Sequence, residues 1–183
     1  MRSVLISIQP KWCELIASGK KTVEVRKTRP KLDVPFNVYI YCTLPPKEEL
    51  FMHGCIREYA HELIRLQDGR IVYDYGMRLC VDPEDRPYSQ DNFLCKKVIG
   101  EFVCDSIYDM RDVEPEPTCI TVEDWLKYTD GHKGIVYGWH ISDLVIYDRP
   151  KELSTFSKYG FDHPVPLKRP PQSWCFVEKG GEG

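Results

Sequence analysis

No apolar run in this sequence approaches the ~20 residues that a membrane-spanning helix needs. Nor is there the make-up of a secretory leader, because Met1-Arg2-Ser3 leads straight into a short strand-like run. A surplus of positive charge is also missing. The formal net charge is −3, which argues against a protein that coats duplex DNA, normally a strongly basic molecule. Neither a P-loop nor a dinucleotide fingerprint occurs. There is no C-x-x-C and no pair of histidines at helical spacing, so His53, Cys55 and His61 do not make a zinc pattern, and no metal or cofactor is expected. Internal repeats, low-complexity tracts and a disorder-type composition are absent too.

What remains is a chain of 183 residues with an apolar fraction of 42%, enough to bury one core and short for two. The expected organisation is one domain over residues 1–178, with an insertion at about 45–96 and a flexible tail at 179–183. Most cysteines lie inside apolar patterns such as Ile40-Tyr41-Cys42 and Phe102-Val103-Cys104, where a free thiol acts as a small hydrophobe. Reduced thiols and a cytoplasmic location follow as expectations. Charge is unevenly distributed. Lys20, Lys21, Arg26, Lys27, Arg29 and Lys31 form a basic strip interrupted only by Glu24, and an acidic run extends from Asp105 to Asp124. A basic strip on an acidic protein suits a small anion or a few nucleotides of single strand.

Val4–Ile8 reads as a first strand, and Pro10 opens a short helix carrying Trp12, Leu15 and Ile16, closed by Gly19. Thr22–Arg26 alternates as a strand, and Phe36–Cys42 reads as a central one. The apolar positions from Lys47 to Gln67 fit a helix face, Ile71–Tyr75 a strand, and 76–95 irregular structure. Lys97–Ile107 is a strand with Gly100 as a bulge. Thr121 caps a second short helix, and Ile135–Tyr147 is a strand bent at Ser142-Asp143 and closed by Pro150. Ser173–Glu178 is the last strand. This order gives an α+β class, with a small mixed sheet or barrel-like core flanked by helices, and not a run of parallel βαβ units.

The chemistry concentrates at Gly19-Lys20-Lys21-Thr22-Val23-Glu24-Val25-Arg26. Strand alternation puts Thr22, Glu24 and Arg26 on one face, with Val23 and Val25 on the other. Lys20 and Lys21 enter that strand from the turn, so an ammonium, a carboxylate and a guanidinium converge. Such a set holds a phosphate through Arg and Lys while Glu accepts from a base amino group. A solvent-exposed ion pair worth ~0–1 kcal/mol is the competing reading of the same spacing. Trp12 stands on the adjoining helix. Tyr39, Tyr41, Trp139, Phe161 and Trp174 are either base-stacking residues or core aromatics.

The same eight residues resemble the G-x-K-x-x-E-x-R signature of ASCH domains, which belong to the PUA-like superfamily. Ile8–Trp12, Val98–Phe102, Trp139–Ser142 and Pro171–Cys175 resemble further segments of bacterial and prophage-encoded members, while 45–96 is the least matched region. The resemblance implies a barrel-like core, a cleft beside the signature and an RNA-related role. One branch of the family is similar to an acetylcytidine amidohydrolase that uses a Lys and a Thr of the motif with a Glu on a later strand. Lys21 stands at the position of that Lys and Glu101 at that of the later acid, but Glu24 stands where the branch has Thr. The departure favours binding over that reaction.

The expected ligand contacts are Trp12, Lys20, Lys21, Thr22, Glu24 and Arg26, and the expected partner is RNA, a nucleotide or a modified nucleoside. The alternatives are a hydrolase on a modified nucleoside or RNA, using Lys21, Glu24 and Glu101 as acid–base groups, and a protein-interaction module built on 45–96. No membrane partner is expected, and nothing in the sequence specifies an oligomeric state.

Overall fold

Why the chain folds around β1 is visible in its burial. In the computed structural model, which describes residues 2–43, 62–65, 71–74, 80–82, 96–112 and 116–179, β1 (Arg2–Ile8) has six consecutive buried residues. A strand covered on both faces needs an unbroken apolar run and not an alternating one. It lies parallel to β3 (Phe36–Cys42), with Val4 opposite Val38 and Ile8 opposite Cys42. Parallel neighbours require a crossover. Here the crossover is α1 (Pro10–Ala17) followed by β2 (Val23–Arg26), so the signature segment is laid over one sheet face.

The remaining strands are β4 (Glu62–Arg65), β5 (Ile71–Asp74), β6 (Cys80–Asp82), β7 (Lys97–Cys104), β8 (Ile107–Asp109), β9 (Tyr137–His140), β10 (Ser142–Glu152), β11 (Phe156–Lys158) and β12 (Trp174–Lys179). A six-stranded sheet has the order β10-β7-β3-β1-β12-β11, and two three-stranded sheets run β2-β9-β8 and β4-β5-β6. Val4, Ile6, Val38, Ile40 and Phe102 form one side of the main sheet, packed with Cys13 and Ile16 of α1 and with Trp139 of β9. Leu5, Tyr39, Tyr41 and Val177 build the opposite side with Leu153, Phe156 and Leu167. The second helix, α2 (Val122–Thr129), is capped by Thr121, whose hydroxyl accepts from the Asp124 N–H at 3.1 Å. Cys13, Cys42, Cys104, Cys119 and Cys175 are free thiols. Among the described residues no helix is long and apolar enough to cross a membrane.

The α+β class is as expected, but the described strands do not close into a barrel. The main sheet ends on β10 and β11, and β2-β9-β8 stands as a separate sheet on one of its faces. The expected single strand over Ile135–Tyr147 divides at Ile141. Asp143 then takes φ +47, and the chain passes from the small sheet into the large one. Pro150 does not end β10. An edge strand tolerates a residue without an N–H, and the register shifts between Ile146 and Lys151 around it. Within the helix expected over Lys47–Gln67, residues Glu62–Arg65 form a strand paired with β5; its other residues lie outside those described. Cys80–Asp82, expected to be irregular, also pairs with β5.

Gly100 sits at the β3–β7 irregularity, between the Ile40↔Gly100 and Tyr41↔Val98 pairs. A Cβ there would press into the Val145 carbonyl oxygen, which is backbone and cannot rotate away. Gly100→Ala is therefore expected to lower stability by about 1–3 kcal/mol through overpacking. Urea denaturation would show it as a lower midpoint with an unchanged slope.

Candidate functional site

The site is assembled by two turns and one strand pairing. α1 stops at Ser18, and Gly19 adopts φ +74, a conformation that costs other residues about 1–2 kcal/mol. The Lys21 N–H then donates to the Leu15 carbonyl at 2.8 Å, fixing the entry to β2. On the far side, a short 3-10 turn at Glu116–Thr118 brings the Pro117 carbonyl to the Thr22 N–H at 3.0 Å. β2 pairs with β9, placing Glu24 opposite Trp139 and Val25 opposite Gly138. Gly138 is required by crowding, since a Cβ there would lie 2.6 Å from Met110 Sδ and 2.8 Å from Val23 Cγ1.

Lys21, Glu24 and Arg26 form one buried ionic cluster. Lys21 Nζ donates to the carbonyls of Val23 at 2.8 Å and Thr118 at 2.7 Å, and lies 3.5 Å from Glu24 Oε2. The other carboxylate oxygen of Glu24 lies 2.9 Å from Arg26 Nη2, which also donates to the Ser7 carbonyl at 2.7 Å. The Lys21 side chain is 1% exposed and that of Glu24 7%. Burial pulls the Lys21 ammonium below the ordinary lysine value, and the Glu24 carboxylate opposes that shift. Arg26 Nε is buried and has no hydrogen-bond partner among the described residues.

Above the cluster opens a cavity of about 720 Å³ between α1, α2, the end of β1 and the segment before β12. Its charged lining comprises Lys11, Lys21, Arg26 and Lys127 against Glu24 and Asp124, leaving a cationic excess. Lys11 Nζ and Asp124 Oδ1 bridge the two helices at 3.3 Å, and Lys11 also lies over the Trp12 ring at 4.4 Å. The Tyr128 hydroxyl accepts from the Lys27 N–H at 3.1 Å and donates to the Val25 carbonyl at 3.4 Å. Desolvation raises its pKa, so it remains a neutral phenol. The cavity thus offers two aromatic rings, an excess of cations and one carboxylate at its base. Among the described residues no cluster of His, Cys, Asp or Glu has the make-up to hold a metal ion.

Of the residues expected at the site, Trp12, Lys21, Glu24 and Arg26 line this cavity, whereas Lys20 and Thr22 do not. Both of the latter are exposed at the outer turn. Glu101 is brought to neither Lys21 nor Glu24. It pairs with Tyr39 in the register of the main sheet, on the face opposite α1, and stands near Tyr147 there, where burial first and Glu101 second raise the pKa of that phenol. Trp139 and Tyr39 are core residues. Sequence reasoning missed the wall supplied by α2. Its available signal was Asp124, Lys127 and Tyr128 at i, i+3 and i+4, one face of a helix. The Thr118 carbonyl carried no signal, because backbone acceptors have no residue identity.

A family model described as the ASCH domain matches residues 6–140. The structure is similar to that of ZmASCH from Zymomonas mobilis in a serine-to-alanine variant, at TM-score 0.56 and 19% identity, over 97% of this chain and 89% of that one. It is likewise similar to a tyrosine-to-phenylalanine variant, at TM-score 0.50 and 18% identity over 97% and 91% of the two chains. For the protein titled simply ASCH from the same organism the values are 0.50 and 18%, over 97% and 88%. At such identities the likeness shows the fold alone. No curated protein matches the chain.

Proposed function

This chain belongs to the ASCH domain family, and from that premise we propose that its cavity binds a nucleotide or a short single-stranded RNA segment. The observation that carries the reading is the buried Lys21–Glu24–Arg26 cluster at the base of a cation-rich, aromatic-walled cavity. Taking charges out of water costs several kcal/mol per ion, and apolar residues of similar volume would fold as well or better. A cluster of this kind is explained by ligand recognition more readily than by stability. Lys21 is held by two carbonyls and Glu24, so its work is to orient that carboxylate. Arg26 and Lys127 at the rim face phosphate or carbonyl oxygens. Trp12 and Tyr128 flank the base.

One observation supports hydrolysis as a second reading: a lysine with depressed basicity touches a carboxylate inside a cavity, a pairing suited to proton transfer. Without Glu101 nearby, Glu24 would be its base. Screening the chain against ribonucleoside monophosphates, modified nucleosides and short RNAs, with binding and turnover scored separately, distinguishes the readings. Lys127→Glu, at an exposed rim position, is expected to weaken binding about tenfold and to reduce its salt dependence. Absence of binding across the panel would sink the binding reading, and binding without turnover would sink the hydrolase.

A further inference from the structure

Outside the cavity, the part of the basic strip not used there lies beside an aromatic ladder. On β12, Trp174 and Phe176 share one face, at the ~6.8 Å spacing of alternate strand residues. Both are partly buried, packed on the core by one side, with their rings edge-to-face 5.4 Å apart, and the exposed Tyr159 follows edge-on 6.5 Å beyond Phe176. The Arg2 guanidinium lies over Phe176 at 3.5 Å and near the Tyr159 ring at 5.1 Å, turning that step into a planar cation on an aromatic base. Trp174 Nε1 donates to Thr28 Oγ1 at 2.9 Å, which ties the ladder to the Lys27–Lys31 loop. In that loop Lys27 lies 5.1 Å over the ring of Tyr128, a cavity wall, and Arg29 5.7 Å over that of Tyr137. The ladder also adjoins the cavity along the chain, since Gln172 lines it two residues before Trp174. Acids on the same segments are Glu178, further along the same strand face, Asp33 in the loop beyond Lys31, and Asp162, three residues beyond Tyr159.

We propose that an extended single-stranded RNA leaves the cavity along β12, its bases stacking successively on Trp174, on the Arg2–Phe176 pair and on Tyr159, with Lys27 and Arg29 along its phosphates. The inference rests on the cavity holding a nucleotide. Three features select a single strand. Bases can stack on aromatic rings and guanidinium planes only when splayed out of a duplex. A basic groove lined with aromatics binds such strands with little sequence preference. On a chain of net charge −3, this local charge supplies the complementarity that the surface as a whole lacks. Glu178 marks the end of the track, since a phosphate beside it would be repelled.

The test compares the four ribonucleoside monophosphates with a mixed-sequence six-nucleotide RNA, single-stranded and annealed to its complement, on the full chain. The single-stranded hexamer is expected to bind at least about tenfold more tightly than any monophosphate. The double variant Arg29→Glu/Tyr159→Ser changes two exposed side chains, and its thermal transition should match wild type. It should lose that tenfold while keeping wild-type affinity for the monophosphates. If monophosphates bind and the hexamer gains nothing, or if the duplex or the double variant matches wild type with the single strand, the track is overturned and the cavity reading stands. Failure of every probe to bind overturns both.

Discussion

Glu24→Leu will lower the unfolding free energy by about 3–5 kcal/mol, the range seen when one member of a buried ionic group is removed and its partner is left uncompensated. Here two partners are left. Lys21 and Arg26 have side chains only 1% and 11% exposed, and both lean on the Glu24 carboxylate. Glu24→Gln should cost less, since an amide can still accept from Arg26 while removing only the charge. Urea denaturation of the two variants beside wild type reads the difference.

The size of the deficit should also depend on pH, in a direction that identifies its cause. Burial already lowers the Lys21 pKa, and Glu24 is the largest influence opposing that. Removing the carboxylate therefore moves the folded-state value further below the unfolded one. Between those two values the unfolded chain holds more protons than the folded one, so stability rises with pH at up to about 1.4 kcal/mol per unit. The Glu24→Leu deficit should shrink as pH climbs from the variant's folded-state Lys21 pKa to that of wild type, above which both proteins gain stability alike. It should not vanish, because Arg26 cannot shed its proton. A deficit that stays constant over that window would show that the lost packing of Glu24, and not stranded charge, dominates.

How much of this site could be read in advance depended on whether local periodicity decides the matter. Thr22–Arg26 reads correctly because a two-residue period sorts Glu24 and Arg26 from Val23 and Val25, and the fold preserves that sorting. The fold-back of Lys21 onto the Thr118 carbonyl does not read, because it joins residues 97 apart through a backbone atom. Glu101 shows how parity decides a role. One residue along β7, Phe102 packs into the layer beneath α1, while Glu101 faces Tyr147 on the other side. Glu62–Arg65 reads as part of a helical pattern because four residues are too few for a strand period to outcompete a longer helical one. The aromatics divide by depth. Trp139 and Trp174 look alike in sequence, yet one is fully buried and the other is only partly buried, packing on the core while its Nε1 donates to Thr28.

Trp139→Ala is the second large effect, a loss of about 3–5 kcal/mol. Trp139 is fully buried and joins the small sheet carrying the signature to the main sheet beneath it. Its ring stands edge-on to Phe36 at 5.9 Å and tilted to Trp174 at 6.1 Å, while its backbone pairs with Glu24 on one side and Ile107 on the other. Alanine leaves a void under both neighbours, and a close-packed interior refills such voids only in part. Phenylalanine makes the informative contrast. Trp139 Nε1 is buried with no hydrogen-bond partner among the described residues. Losing that donor removes a desolvation penalty of about 1–3 kcal/mol, which offsets much of the smaller ring's lost contact. Trp139→Phe should therefore stay within about 1.5 kcal/mol of wild type, the range of well-tolerated core exchanges. Ligand affinity measured where both variants remain folded separates support from contact. Trp139 does not line the cavity, so Phe should bind as wild type does. Ala should bind more weakly, because β2 has lost the surface that holds Glu24 and Arg26 in register.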